Sequence, residues 1–242
     1  MLPAPTSGRY RSDVNRSWGS PHQPSRTADF FKQILSWKSS TDLSSWRMAT
    51  TLSIGPYGVS GLSDLSTPVY PPGLPAHVAY HLATDNIDHV VSDAEAAGAE
   101  VLVAPFDAGD EGRVATLVDP FGAPVSLVQR TGGRSWSHPT GSLGTPASLR
   151  HTSDAPAAAR RFYMDTLRVN DPAVHFADFD PALPPVPASI PGWTGIITVR
   201  AVSEVAKAVA AYAGGSVTSY DGSRPLTLLT SPDGVRIGVA SL

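Results

Sequence analysis

The sequence predicts an α+β fold made of four strand-helix-strand-strand-strand repeats, and three observations predict it. Ala76–Gln129 reads directly as one such repeat. Its helix ending and its closing turn both recur near the C-terminus: Ala97-Gly98-Ala99-Glu100-Val101 is answered by Ala213-Gly214-Gly215-Ser216-Val217, and the turn at Asp119 by the turn at Ser231. An aromatic pair followed four residues later by Leu marks two further helices, Phe30-Phe31-Lys32-Gln33-Ile34-Leu35 and Phe162-Tyr163-Met164-Asp165-Thr166-Leu167.

The second repeat sets the pattern. His77–Ala83 is a β-type run, Asp85-Asn86 offers a helix cap, and Ile87, Val90, Val91, Ala94 and Ala97 recur at helical spacing. Gly98 suits the left-handed residue that ends a helix. Strands follow at Glu100–Ala104, Arg113–Val118 and Pro124–Gln129, with an Asp- and Gly-rich loop at Phe106–Gly112 and a turn at Asp119-Pro120-Phe121-Gly122.

The other repeats are read against it. Met1–Asp13 is rich in Pro, Ser, Gly and Arg and is expected to be a mobile tail. In the first repeat Asn15–Ser20 is a short strand, a helix runs from Pro24 or Ser25 to Leu35, and strands at Ser45–Ile54 and Val59–Leu62 flank the turn Gly55-Pro56-Tyr57-Gly58. Ser63–Pro75, with four prolines, is a linker. In the third repeat Ala147–Thr152 is a strand, Asp154 caps a helix over Ala155–Leu167, and Val174–Phe179 is a strand; Asp180–Gly192 is irregular. The fourth has a strand at Thr194–Ala201, a helix at Ser203–Ala213 and strands at Ser216–Ser219, Pro225–Thr230 and Val235–Ala240. Sequence order divides the chain into a tail (1–14), a first domain (15–130), a linker (131–146) and a second domain (147–242) whose first repeat is degenerate.

Composition excludes several classes of function. A formal net charge of −3 gives no electrostatic reason to bind nucleic acid or an anionic membrane. Zero cysteines exclude disulfides, thiolate nucleophiles and thiolate metal sites. No apolar run approaches the ~20 residues that span a bilayer, and the first residues lack the apolar core of a secretory signal, so the expected location is the cytoplasm. There is no Gly-x-Ser-x-Gly elbow and no phosphate-binding glycine loop after a strand. Asp107, Asp110 and Glu111 lack the spacing of a calcium loop and read as turn residues. Arg160-Arg161 reads as solvated charge.

The order of these features, with the Phe-Tyr pair, Ala-Gly-Ala-Glu-Val, Gly-Arg-Val-Ala-Thr-Leu-Val and then Asp-Pro-Phe-Gly-Ala, resembles the vicinal oxygen chelate superfamily. That superfamily includes glyoxalase I, extradiol dioxygenases and bleomycin-resistance proteins. The likeness is greatest to its actinobacterial tandem-domain branch, and it is specific over Ala76–Gln129 and weaker toward the N-terminus. It implies that the βαβββ repeats pair into two open glyoxalase-like β-barrels, each with a ligand cavity.

It also implies a metal site in those members that carry His or Glu on the first strand of a unit and Glu on the last. Counted from Asp119, the Glu position is Ser126; counted from Ser231, it is Gly238. The first-strand position of the second unit falls near Tyr80, between His77 and His81, and that of the third near Ala147. Neither Ser126 nor Gly238 can supply a carboxylate. Ser126 offers space and one hydroxyl, Gly238 only space. His77 and His81 lie four residues apart on a strand, roughly 13 Å at ~3.3 Å per residue, too far to share one ion. His22, His138 and His151 sit in or beside loops and read as solvated; His89 lies on the helix face opposite the apolar stripe and reads as surface.

The expectation is therefore a protein without cofactor that encloses an aromatic or polyketide-like small molecule of secondary metabolism and sequesters it or guides a cyclisation, elimination or isomerisation. Candidate catalytic side chains are Tyr80, His81 and Arg113, and candidate ligand contacts are Trp18, Trp46, Tyr57 and Ser126. Two alternatives stand beside it. One is a lyase or dioxygenase using Fe, Mn, Ni or Zn on ligands drawn from His22, His77, His81, His151 and His175. The other is a drug-sequestering resistance protein without catalysis. The partner is a small molecule, not nucleic acid or membrane, and the assembly a monomer or homodimer.

Overall fold

The computed structural model describes residues 10–16, 24–41, 50–64, 77–109, 112–130, 141–178, 192–220 and 225–242. The fold is α+β, with four α-helices and several β-strands among the described residues. In chain order the elements are β1 (Tyr10–Arg16), α1 (Pro24–Leu35), β2 (Lys38–Thr41), β3 (Thr50–Ile54), β4 (Tyr57–Asp64), β5 (His77–Ala83), α2 (Ile87–Ala96), β6 (Glu100–Asp107), β7 (Arg113–Val118) and β8 (Pro124–Gln129). These are followed by β9 (Pro146–Ser153), α3 (Pro156–Arg161), β10 (Val174–Asp178), β11 (Gly192–Val199), α4 (Val202–Ala211), β12 (Ser216–Tyr220), β13 (Leu226–Thr230) and β14 (Arg236–Ser241).

Most expected elements form where their residues favour them. Asn86 caps α2, its Oδ1 accepting the His89 N–H at 3.2 Å. Gly98 follows that helix at φ +94°, a conformation that a Cβ would oppose. Others differ. The first strand starts at Tyr10, so Tyr10–Asp13 belong to a strand and not to a tail. A four-residue strand, β2, follows α1 directly. Asp154 does not cap α3: the cap position is Ala155, which makes no side-chain bond. The helix expected through Leu167 changes at Phe162 into a π-helical turn, Phe162–Thr166, whose wider winding redirects Tyr163.

By packing, the chain divides into two compact units. One comprises Met1–Arg11, Tyr80–Ser135 and Leu149–Trp193; the other comprises Ser12–Ala79, Trp136–Ser148 and Thr194–Leu242. Each unit therefore draws on both of the domains expected from sequence order.

In the second unit, β3 and β4 pair antiparallel, β2 joins β3, and β1 runs parallel to β4. From the far end of the chain, β11 runs parallel to β14, and β14, β13 and β12 form an antiparallel meander. The core of this unit mixes the two. Phe30, Phe31, Leu35 and Trp37 pack in one cluster with Ile197, Val209, Leu229 and Val239. Phe30 stacks edge-on against both Phe31 (5.3 Å) and Tyr212 (5.2 Å). Thr27 Oγ1 donates to Asp233 Oδ2 at 2.7 Å, and Trp37 Nε1 donates to the Gly144 carbonyl at 2.6 Å. Gly144 N in turn donates to Thr198 O, so the end of the expected linker is bonded to β11.

In the first unit, β5 runs parallel to β8, and β8, β7 and β6 are antiparallel neighbours. Helix α2 buries Ile87, Val90, Val91 and Ala94, at the spacing that predicted it. β9 and β10 form a separate parallel pair in this unit.

Candidate functional site

Alternation along β5, β7 and β8 sorts their side chains onto two faces. Gln129 identifies the face toward α2, since its Oε1 accepts the N–H of Ile87 at 2.8 Å. Val125 and Leu127 share that face with Gln129. Ser126 and Val128 therefore point the other way, where Val128 packs with Val114 and Ala108. Cross-strand register adds His81 and Ala83, which lie opposite Ser126 and Val128, and Thr116, which lies opposite Ser126. The result is three polar side chains in a row across β5, β8 and β7, bordered by Ala83, Val114 and Val128. Thr116 Oγ1 and Ser126 Oγ are 3.0 Å apart and share a hydrogen bond. His81 and Ser126 are both buried.

The register distinguishes the two neighbouring candidates on β5. His81, not Tyr80, stands across from Ser126. Tyr80 belongs to the α2-facing side and is 2% exposed, so it cannot act beside His81. Arg113 is on the α2-facing side too, where its guanidinium forks onto Asp88, the Nη2–Oδ1 distance being 2.8 Å. That hydrogen bond, more than the Coulombic attraction, holds the Asp88 carboxyl below its ordinary range, and the same bond raises Arg113. Of the candidates in this unit, only His81 and Ser126 come together. Tyr57, half-buried at the start of β4, belongs to the other unit. Trp18 and Trp46, with His22 and His138, lie outside the described residues, as does the side chain of His77.

These residues do not fit a divalent ion. One imidazole and two neutral hydroxyls are a weak donor set beside the several imidazoles or carboxylates that ordinarily hold such an ion. Among the described residues no three His, Asp or Glu side chains converge. In the fourth repeat Ile196 lies opposite Gly238, and a Cβ on Gly238 would stand 2.9 Å from Leu226 Cδ1. The room expected at Gly238 is thus taken up by Leu226 and Ile196.

A second polar cluster in the first unit was not foreseen. His151, read from sequence as solvated, is completely buried. Its Nε2 lies 2.8 Å from Asp119 Oδ2, and the Tyr163 hydroxyl donates to the same oxygen at 2.9 Å. Trp193 Nε1 donates to the Tyr163 oxygen at 3.2 Å. Asp119 Oδ1 accepts the N–H groups of Phe121 (2.9 Å) and Ala123 (2.7 Å). The imidazole is ringed by Phe121, Tyr163, Phe176 and Trp193 at centroid distances of 4.9–6.4 Å. This site unites residues 32 and 44 positions apart. The π-helical turn that delivers Tyr163 has no local sequence signature.

Burial first, then the charge of Asp119 and the bond to it, holds the Tyr163 phenol protonated well above its ordinary range. A folded value above the unfolded value of about 10 gives stability that is intact below that pH and lost as pH rises toward the folded value. Urea unfolding at a series of pH values is expected to show stability falling above roughly pH 10, with a flatter fall in Tyr163→Phe. An equal slope in the variant would refute the assignment.

Comparison with known proteins agrees with this architecture. Residues 20–128 match the family model described as a glyoxalase-like domain. Over 181 residues the chain is 30% identical to the anthracycline biosynthesis protein DnrV of Streptomyces peucetius, covering 66% of this chain and 65% of that protein. The chain thus matches just under two thirds of the length of that relative. The 2,3-dioxygenase LapB from Pseudomonas sp. KL28 has a similar structure, with a TM-score of 0.61 at 8% identity, covering 96% of this chain and 91% of that one. The Mn(II)-bound glyoxalase from Novosphingobium aromaticivorans gives 0.54 at 12% identity, covering 96% and 80%. At such identities these two structures speak to the fold alone. Residues 20–128 are thus similar to the glyoxalase-like domain family, and the chain shares its fold with a glyoxalase and a ring-cleaving dioxygenase, which supports the resemblance to the vicinal oxygen chelate superfamily.

Proposed function

We propose that this is a metal-free protein of secondary metabolism that binds an aromatic or polyketide-like small molecule on the face carrying His81. In this reading four βαβββ repeats pair into two open barrels, and the polar row His81, Ser126 and Thr116 lies within the first. The observation that carries it is that row itself: a buried imidazole, a buried hydroxyl and a half-buried one on an otherwise apolar sheet face. A flat, largely apolar ligand with a phenolic or keto edge complements such a surface. The likeness to a protein of anthracycline biosynthesis supports that ligand class.

His81 is the group that can take up or release a proton, and Ser126 and Thr116 are hydrogen-bond partners for a ligand oxygen. The chemistry that an imidazole and two hydroxyls support is proton transfer at an enolisable or phenolic position of a held substrate. That suffices for an isomerisation, elimination or ring closure.

The test uses 1,8-dihydroxyanthraquinone as probe and tryptophan fluorescence as readout. Wild type is expected to bind it. His81→Ala is expected to weaken binding about tenfold and Ser126→Ala several-fold, the scale of one lost hydrogen bond at ~1–1.5 kcal/mol. No binding, or equal binding by His81→Ala, sinks the reading. Metal analysis of the same protein decides the rival: stoichiometric Fe, Mn, Ni or Zn that vanishes in His81→Ala would put a metal-dependent lyase or oxygenase in its place. Mass spectrometry of the bound compound separates turnover from sequestration.

A further inference from the structure

The β7–β8 hairpin carries Thr116 and Ser126, and its turn begins with Asp119. Asp119 N donates to Ala123 O at 2.9 Å, Gly122 N donates to Asp119 O at 3.0 Å, and Asp119 Oδ1 takes the two further amides. The chain contains its own control for what such a turn requires. Between β13 and β14, Ser231-Pro232-Asp233-Gly234 closes with the same two backbone bonds, Ser231 N to Val235 O at 2.8 Å and Gly234 N to Ser231 O at 2.9 Å. There a single hydroxyl is enough: Ser231 Oγ accepts Val235 N at 3.1 Å. A serine makes this turn, so the turn does not explain a buried carboxylate with a histidine and a tyrosine on its second oxygen. Burying a charge away from water is unfavourable unless every partner is in place.

We infer that His151 and Tyr163 are positioning residues: through Asp119 they fix the β7–β8 hairpin and so hold the Thr116–Ser126 hydroxyl pair in register with His81. The direction of the hydrogen bonds supports this. Trp193 N–H donates to the Tyr163 oxygen, Tyr163 O–H donates to Asp119, and an ionised carboxylate only accepts. His151 must then carry a proton on Nε2, and its Nδ1 is buried without a hydrogen-bond partner. Asp119 receives four donors from three segments of the chain, which leaves the hairpin no second position.

The inference rests on the His81 face being the ligand site, and the experiment keeps the two apart. Uniformly 15N-labelled full-length wild type, His151→Phe, His151→Gln, His151→Leu and Tyr163→Phe are compared by amide spectra and by binding of 1,8-dihydroxyanthraquinone. His151→Phe is expected to move the Thr116 and Ser126 amide resonances and to weaken binding about tenfold, with the amides of Phe30 and Val209 unmoved. His151→Gln, which restores an N–H toward Asp119, is expected to recover both; His151→Leu is not. Unmoved hairpin resonances in His151→Phe, or rescue by Leu as good as by Gln, overturn the inference. Should His151→Phe fail to fold, Tyr163→Phe, which removes one oxygen, decides by the same two readouts. If wild type does not bind the probe, the functional reading fails, and the hairpin resonances alone decide the positioning role.

Discussion

Phe30→Ala is expected to lower the free energy of unfolding by about 3–5 kcal/mol, the range for removing a fully buried aromatic side chain. Phe30 is 0% exposed, and its ring meets Phe31 and Tyr212 edge-on, with Gly215 so close that a Cβ there would lie 3.1 Å from Phe30 Cε2. The cluster is made by α1 from one end of the chain and α4 with β13 and β14 from the other, so neither can close over the gap alone. Urea unfolding followed by circular dichroism measures the loss, and a loss under about 1.5 kcal/mol would show that the pocket collapses around a smaller side chain.

Asp119→Ala is expected to cost about as much, roughly 3–5 kcal/mol, for a different reason. The substitution strands two buried donors, His151 Nε2–H and Tyr163 O–H, and frees the amides of Phe121 and Ala123. Asp119→Ser should lose less, because a serine at the matching turn position, Ser231, already holds the equivalent amide. Thermal unfolding of the three proteins orders them wild type, Ser, Ala; equal loss in Ser and Ala would mean that the turn amides contribute nothing.

What was legible in the sequence was whatever neighbouring residues decide. The stripe Ile87, Val90, Val91, Ala94 gave α2, and the Asp-Pro-Phe-Gly turn led by counting to Ser126, which lies in the polar row. The partner on β5 stays open between Tyr80 and His81 in the sequence, because side chains on a strand alternate with period two and pattern alone does not say which of the two faces the polar row. His151 was misread because its partners come from the β7–β8 turn and the π-helical turn, and no local pattern reports either. The same holds for unit composition. An apolar face on α1 says that Phe30 and Phe31 are buried; nothing near them says that Tyr212 and Val209 do the burying.

That interleaving sets an order of events on the ribosome. The unit containing His81 is complete once Trp193 has emerged, whereas the unit containing Phe30 still lacks α4 and β12–β14. The nascent chain must therefore carry two bare phenylalanines until α4 has been made, roughly ten to forty seconds at 5–20 residues per second.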